Sequence, residues 1–542
     1  MDKLYFESID KLALATTLSA LDVNTNKGLV AIVVAQDGLS ASQNNGIEVA
    51  KHVEKGVIQS GFNAKTYFAP VFPCVTNENR YNIQLREETA YFVQRLADSG
   101  AIDAFVFVAS NVFSIFGMLK GAFLYNIPCL FVTNGCMTPI EIEDKKYDLT
   151  SLNGIAPLSR RGKVHPSIFK QATEVISQQV ANDTFCYETN CGGFLMQALG
   201  FALPDSVGVV ANSVKHYSVA RKTGEKICQM AELRLTSAKM LNVDALKMAL
   251  SVDLALGGSP VSFVNIAWLS KFVGEQINLK ILEKLAQNVP QFKLSRSGFD
   301  VTEFESNGGI FALINNICNS QIPLTANYLC FDNKKMIDFC KAFDTLGDIP
   351  TKEENQKSKD ALKNVSAVVL SGNIANSAIS FSCHVPSFVG NAKVFTSEDN
   401  LVDAILNNDI QSGDCIVLTY CGAKGGLFSP VKSTAMLKAL GLSAEVAFVT
   451  DGAVPHYFDG LAVSLVYPEA YEESPLAYVK TGDKVEINLA KSKINIDINA
   501  KEFKIRRKQI ETKQILSGDK NYFYSKFVTS PETGCAIDYS IK

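Results

Sequence analysis

No C-x-x-C pair occurs anywhere in the 542 residues, although the chain carries 13 cysteines. That absence excludes the local zinc and thioredoxin-type arrangements, which hold two thiols on one turn. The odd count and scattered spacing argue against a disulfide framework, so most of the thiols read as small, reduced core residues. There is also no apolar run of about 18 residues or more, so no membrane span is expected. The start, MDKLYFESIDKLALATTLSAL, lacks the basic-then-apolar layout of a secretory leader, and a cytoplasmic protein is the expectation. Neither sign of charge is in excess: 52 Lys and Arg against 55 Asp and Glu leave a net −3. The chain therefore has no electrostatic footprint for nucleic acid or an anionic membrane. Its one tryptophan, Trp268, sits in an apolar helical stretch and reads as core.

Alternating strands and helices fill the first part of the chain. GLVAIVVAQ (Gly28 to Gln36) is a strand with no polar face, and the helix from Asn45 to Gly61 that follows gathers Ile47, Val49, Ala50, Val53, Val57 and Ile58 on one side. Further strands are expected in AKTYFAPVF, AFVFVAS and PCLFVTNG, with helices in REETAYFVQRLADSG and FGMLKGAFLYN. Continuous apolar strands in strand–helix–strand units predict a mostly parallel sheet covered on both faces. From about Phe194 to Cys340 the pattern is helical. A polar stretch without periodicity follows, and beyond it short strands alternate with turns about every ten residues, as in a β-barrel or sandwich. The expected organisation is an α/β domain over residues 1–345, a linker over 346–364 and a barrel-like domain over 365–542.

Several motifs then fit one family in its own order, from about residue 28 to 507. Val449-Thr450-Asp451-Gly452, Pro468-Glu469-Ala470 and Gly482-Asp483 match its closing module V-T-D-G-R-x-S-G, S-P-E-A and G-D-x-I-x-I. AQDGLSASQ, with Asp37, Leu39, Ser40, Ala41 and Gln43, is similar to A-Y-N-D-M-L-S-A-H-Q. DTFCYETNCGGFLMQALGFALP, LALGGSP, DVTEFESNGG, LSGNIA and YCGAKGG have counterparts as well. The chain resembles the dehydratases that include 6-phosphogluconate dehydratase and dihydroxy-acid dehydratase. The resemblance implies an α/β N-terminal domain, a C-terminal β-barrel, and a dimer with active sites between domains. It implies removal of water from a 2,3-dihydroxy acid to give a 2-keto acid. There, an iron–sulfur cluster with one open iron binds the leaving hydroxyl, magnesium binds the carboxylate and a serine is the base.

That chemistry needs three thiolates for the cluster and hard oxygen ligands for magnesium. At the family's C-D-K site this chain reads Asn111-Val112-Phe113, and at its G-T-C-T-F cysteine it reads Asp183. The first cysteine falls on Ser42, or near Cys74, whose following acid is gone. The P-E glutamate reads Pro430-Val431, the base serine Pro455 and the preceding arginine Ala453. Cluster, metal and base positions have thus all changed while the surrounding glycines and apolar positions match. The expectation is a non-catalytic relative with no cluster and no magnesium, in a binding, regulatory or assembly role. As a partner it takes a second copy or a paralogue, and as a ligand a small sugar acid or a phosphate.

Two other readings stay open. Cys74, Cys136 and Cys186 lie in or beside family site motifs, with Cys191 just beyond, and would supply a relocated three-thiolate site for a working hydro-lyase. His456 follows the lost base position and, with Asp183, would form an acid–base pair. The plainer reading makes His456 a turn residue and Asp183 an N-cap before Thr184-Phe185. Asn111, Glu188, Ser259 in the GGSP turn, and Asp451 complete the candidate pocket with Asp37 and Ser42. The glycine-rich CGAKGGLFS and the basic SRRGK (Ser159 to Lys163) are read as a turn and an exposed loop before anion sites.

Overall fold

The computed structural model describes residues 27–35, 45–69, 81–142, 145–177, 179, 182–183, 188–289, 300–319, 324–343, 365–381, 385–510, 513–517, 519, 521–538 and 540. The expected linker 346–364 lies outside the described residues. Strands β1 (Leu29–Ala35), β2 (Asn63–Ala69), β3 (Ala104–Val108) and β4 (Cys129–Val132) form a parallel sheet in the order β2-β1-β3-β4. Every residue of β1, β3 and β4 is buried, which is why these strands show no polar alternation. The chain steps one way from β1 to β2 and the other way from β2 to β3 and β4. Right-handed crossovers therefore put helix α1 (Gly46–Gln59) on one face and α2 (Asn82–Asp98) and α3 (Val112–Leu124) on the opposite one. The reversal leaves a crevice at the carboxyl ends of β1 and β3.

The helical stretch supplies α4 (Leu149–Leu152), α5 (Ile155–Arg160), α6 (Glu188–Ala198), α7 (Val214–Glu232), α8 (Val243–Ala255), α9 (Pro260–Val273), α10 (Val301–Ser306) and α11 (Gly309–Asn319). A single continuous core joins α6 through α11 to the sheet, while Leu149 and Leu152 of α4 pack in a small separate cluster with Met137 and Ile176. Helix α7 packs on α1 at backbone distance. A Cβ added to Gly56 would stand 2.0 Å from the Arg221 carbonyl oxygen, and one on Gly224 would stand 2.2 Å from that of Val53. A small hairpin, β5 (Ile140–Ile142) with β6 (Lys145–Tyr147), lies near α4.

The C-terminal half holds an eight-stranded sheet: β7 (Val368–Leu370), β8 (Ser377–Ser380), β9 (Ser387–Phe395), β10 (Asp414–Leu418), β11 (Ala447–Thr450), β12 (Leu461–Tyr467), β13 (Lys484–Asn488) and β14 (Lys493–Ile496). The order is β14-β13-β9-β10-β11-β12-β8-β7. A bridge between Ser371 and Lys493 nearly closes it into a barrel, and Asn373 adds side-chain bonds to the Ile496 amide and carbonyl, each 2.8 Å. Alternate residues fill the inside (Cys415, Val417, Ala447, Val449, Val463), as the two-residue period requires. Ile416, Leu418, Phe448 and Ala462 face a second layer formed by α12 (Glu398–Leu406) and α13 (Val431–Ala439). These two helices join parallel strands β9 to β10 and β10 to β11, so the centre of the barrel is parallel rather than a meander of hairpins.

The two halves meet at several named points. Gly258 (φ +75) lies under Phe381, whose ring would be 2.2 Å from an added Cβ. The SRRGK segment is partly helical and touches the C-terminal half: Arg160 donates to Asn407 (3.2 Å) and Arg161 to the Ile405 carbonyl (3.5 Å) at the end of α12. After α14 (Ala500–Gln509) the tail returns across both halves. Asn521 donates to the Gly425 carbonyl (3.1 Å) and accepts from Gln84 of α2 (2.5 Å). The tail ends against α9, where the Cys535 carbonyl accepts from Arg86 (2.7 Å) and Gly534 presses on the Trp268 backbone. Trp268 is 1% exposed, as expected of core. Among the described residues, no helix is long and apolar enough to cross a membrane.

Candidate functional site

At the carboxyl edge of the parallel sheet, the loop after β3 and the loop after β4 are laced by short polar side chains. Asn182 donates to the Ser110 hydroxyl (2.9 Å), which also accepts from the Asn134 amide (3.3 Å). Asn45, at the start of α1, donates to the Asn134 carbonyl (2.9 Å). Cys136 pairs with both Asn182 and Val210 as an isolated bridge, and its thiol points 3.4 Å from the Val207 carbonyl. Asn190 of α6 donates to the Asp183 carbonyl (3.0 Å). Three of the candidates, Asn111, Cys136 and Asp183, are therefore gathered at one edge.

Each of the three already has structural work there. Asn111 caps α3, its side-chain oxygen accepting from the amides of Phe113 (2.9 Å) and Ser114 (3.2 Å). Asp183 is 1% exposed, and its two carboxylate oxygens take the Thr150 amide (2.8 Å) and hydroxyl (2.9 Å). It thus fixes the first turn of α4, 33 residues away, while the Thr184-Phe185 turn that the sequence led one to expect it to cap lies outside the described residues. Ser259 caps α9 and receives its own support from Asp253 (2.9 Å), so the GGSP turn serves that helix. Asp37, Ser42, Cys74 and Cys186 lie outside the described residues, as does the side chain of Glu188 at the start of α6.

A second cluster sits at the carboxyl ends of the barrel strands. Asp451 follows β11 and is fully buried, accepting from the amides of Cys421 (2.8 Å), Ala470 (2.9 Å) and Tyr420 (3.2 Å). Burial pushes its carboxyl up to about 6 against the pull of those amides. Glu469, also buried, receives the Lys424 amide on both oxygens (3.0 and 3.1 Å); burial first, and then the Asp451 charge, holds its carboxyl well above the usual range. The two acids shape the CGAKGG turn, whose Gly426, Leu427 and Phe428 amides bond back to Ala423, Gly422 and Cys421. The turn carries its own carboxylate. Pro455 is buried and opens a turn through its carbonyl to the Phe458 amide (3.1 Å). His456 is partly exposed, with its ring edge-on to Tyr457. Glu469, Asn182 and Asn190 were not singled out from the sequence. Pro468-Glu469-Ala470 offered a signal for the first, but its role depends on Lys424, 45 positions away.

The dihydroxy-acid/6-phosphogluconate dehydratase N-terminal model matches residues 27–338, and the corresponding C-terminal model matches residues 356–535. The chain belongs to this family. It is 25% identical to the dihydroxy-acid dehydratase of Pyrococcus abyssi and 26% to that of Acetivibrio thermocellus, in each case over 97% of both chains. It is 29% identical to that of Pyrococcus furiosus over 84% of each.

The cluster that the resemblance implies does not fit the residues at two of its three positions. Asn111, at one of them, carries no thiol and caps α3, and the magnesium positions beside it, Val112 and Phe113, are residues of α3 buried in the core, with Phe113 2% exposed. The Asp183 carboxylate is committed to Thr150. Among the described residues, no group of three or more His, Cys, Asp and Glu side chains is placed to hold a metal ion.

Proposed function

We propose that this family member does not run the cluster-dependent dehydration and instead serves as a binding, regulatory or assembly subunit in the cytoplasm, as a homodimer or paired with a paralogue. A small sugar acid or a phosphate is the ligand class for its crevice. The observation that carries the reading is the Asp183–Thr150 pair: the residue where the family's thiolate is expected works as a pin for α4. A position tied at both oxygens is not a degraded ligand site but one put to another use. The test is anaerobic purification with iron and labile sulfide quantified, followed by assay on 2,3-dihydroxy acids. Iron and sulfide near background and no turnover are expected. Stoichiometric cluster with turnover would overturn the reading.

The second reading, a hydro-lyase with a rebuilt acid–base site, draws on the buried pair Asp451 and Glu469, both raised above the usual carboxylate range. It requires that turnover survive removal of iron and vanish in Glu469→Gln. Against it, both acids accept from backbone amides that shape the surrounding turns.

A further inference from the structure

Glu305 in α10 is 7% exposed, and no described cation lies within ion-pair distance of it. One of its oxygens accepts two short bonds, from the Gln197 side chain of α6 and from the Asp205 amide, each 2.6 Å. The other oxygen is enclosed and meets no donor at ordinary hydrogen-bond distance, the Gly208 amide acting on the carboxyl only weakly. Gln197 also donates to the Leu203 carbonyl (3.0 Å), so α6, α10 and the turn at 203–206 are tied through this one carboxyl. The chain then runs beside the end of β4. The Ser206 carbonyl accepts from the Thr133 amide (3.2 Å) and hydroxyl (2.9 Å), and the Val209 carbonyl from the Cys136 amide (2.7 Å). Gly208 is pressed onto α10, where an added Cβ would stand 2.2 Å from the Val301 carbonyl and 2.8 Å from the Glu305 Cβ. The segment 203–210 is thus a wall of the crevice edge described above, and Glu305 stands behind it.

A carboxylate enclosed without a counter-ion and with one oxygen short of a donor is an unfavourable charge, and the group relieves it by binding a proton. We propose that Glu305 is a proton-operated clasp on the segment 203–210: protonated, it lets the segment seat along the end of β4, and on losing the proton it loosens that wall around Cys136. The proposal rests on the preceding reading only in treating this crevice as the ligand site. The charged group facing Glu305 is Asp205, itself paired with Lys215 at 2.8 Å; Gln197 of α6 and Gly309 at the start of α11 bring no charge. Burial, the largest cause, with the Asp205 charge in support, raises the carboxyl to about 7, while the Gln197 side chain and the Asp205 and Gly208 amides pull it down. Because the seated value lies above the free one of about 4.3, the proton's contribution to seating is complete below that free value. It falls as pH rises and is gone above about 7.

Hydrogen exchange on the full chain from pH 5 to 8, corrected for intrinsic rates, tests this. Opening of 203–210 is expected to rise with pH by up to about tenfold per unit and to level off above about 7. Glu305→Gln, the isosteric neutral form, is expected to abolish that dependence while leaving exchange of β10 in the barrel unchanged. The same pH profile in wild type and variant overturns the proposal. If Glu305→Gln does not fold, Glu305→Met supplies the same comparison, and a profile as steep as wild type overturns it equally. The exchange readout needs neither ligand nor turnover, so an active dehydratase would refute the functional reading without touching this one.

Discussion

Asp183 and Thr150 make the most exacting contact among the candidate residues, and the effect of breaking it can be stated. Asp183→Ala leaves the buried Thr150 amide and hydroxyl without acceptors, and should lower stability by about 1–3 kcal/mol in urea denaturation. Asp183→Cys, which puts the family's thiol back, should lose a similar amount and bind no cluster, since Asn111 still stands where a second thiolate is needed. Asp451 makes a separate pH prediction. Its folded value of about 6 lies above the free value of about 3.9, so its proton stabilises the fold fully below the free value and the contribution is lost as pH rises through about 6. Asp451→Asn should be less stable at every pH, having one acceptor oxygen for three amides, and should flatten the decline in Tm from about pH 4 to 6. The identities at 111, 183 and 455 were legible in the sequence because the flanking motifs set the register. The duties of Asp183, Glu305 and Glu469 were not, because each comes from a partner tens of residues away.

The strands and the helices around them in the N-terminal half could be read at the level of elements, because their apolar periods are long and uninterrupted. Helices α12 and α13 were missed among the turn signals of the C-terminal half. The cues were present: Ser397 caps α12 by accepting from the Asn400 amide (3.3 Å), and Leu401, Val402 and Ile405 line one side of it. Nine-residue helices between strands are too short for their period to stand out. Without them the parallel pairing of β9, β10 and β11 had no crossovers to suggest it. Ser397→Ala should cost about 1 kcal/mol, measured by chemical denaturation, through the freed first-turn amide. Where α1 crosses α7, Gly224→Ala forces the backbones apart. A loss of about 1–3 kcal/mol is expected, larger than the gain an alanine gives in an exposed helix.

The returning tail ties the two halves together, since Asn521 bonds to the CGAKGG turn and to α2, the Cys535 carbonyl accepts from Arg86 of α2, and Gly534 packs on the Trp268 backbone of α9. A chain ending at residue 512 should melt at lower temperature and with less cooperativity between its halves, as followed by calorimetry. Arg86 would be the group most affected: it is fully buried, lies 4.2 Å over the Trp268 ring and loses the Cys535 carbonyl. Lys120 lies 4.7 Å from the same ring, so two cations bear on one indole. Because Trp268 is the sole tryptophan, the protein's indole emission comes from one spot, the place where the tail at Gly534 meets α9. Lifting the tail would admit water to that ring and move its emission to the red, so the molecule carries an intrinsic optical gauge of whether the tail is seated on its N-terminal half.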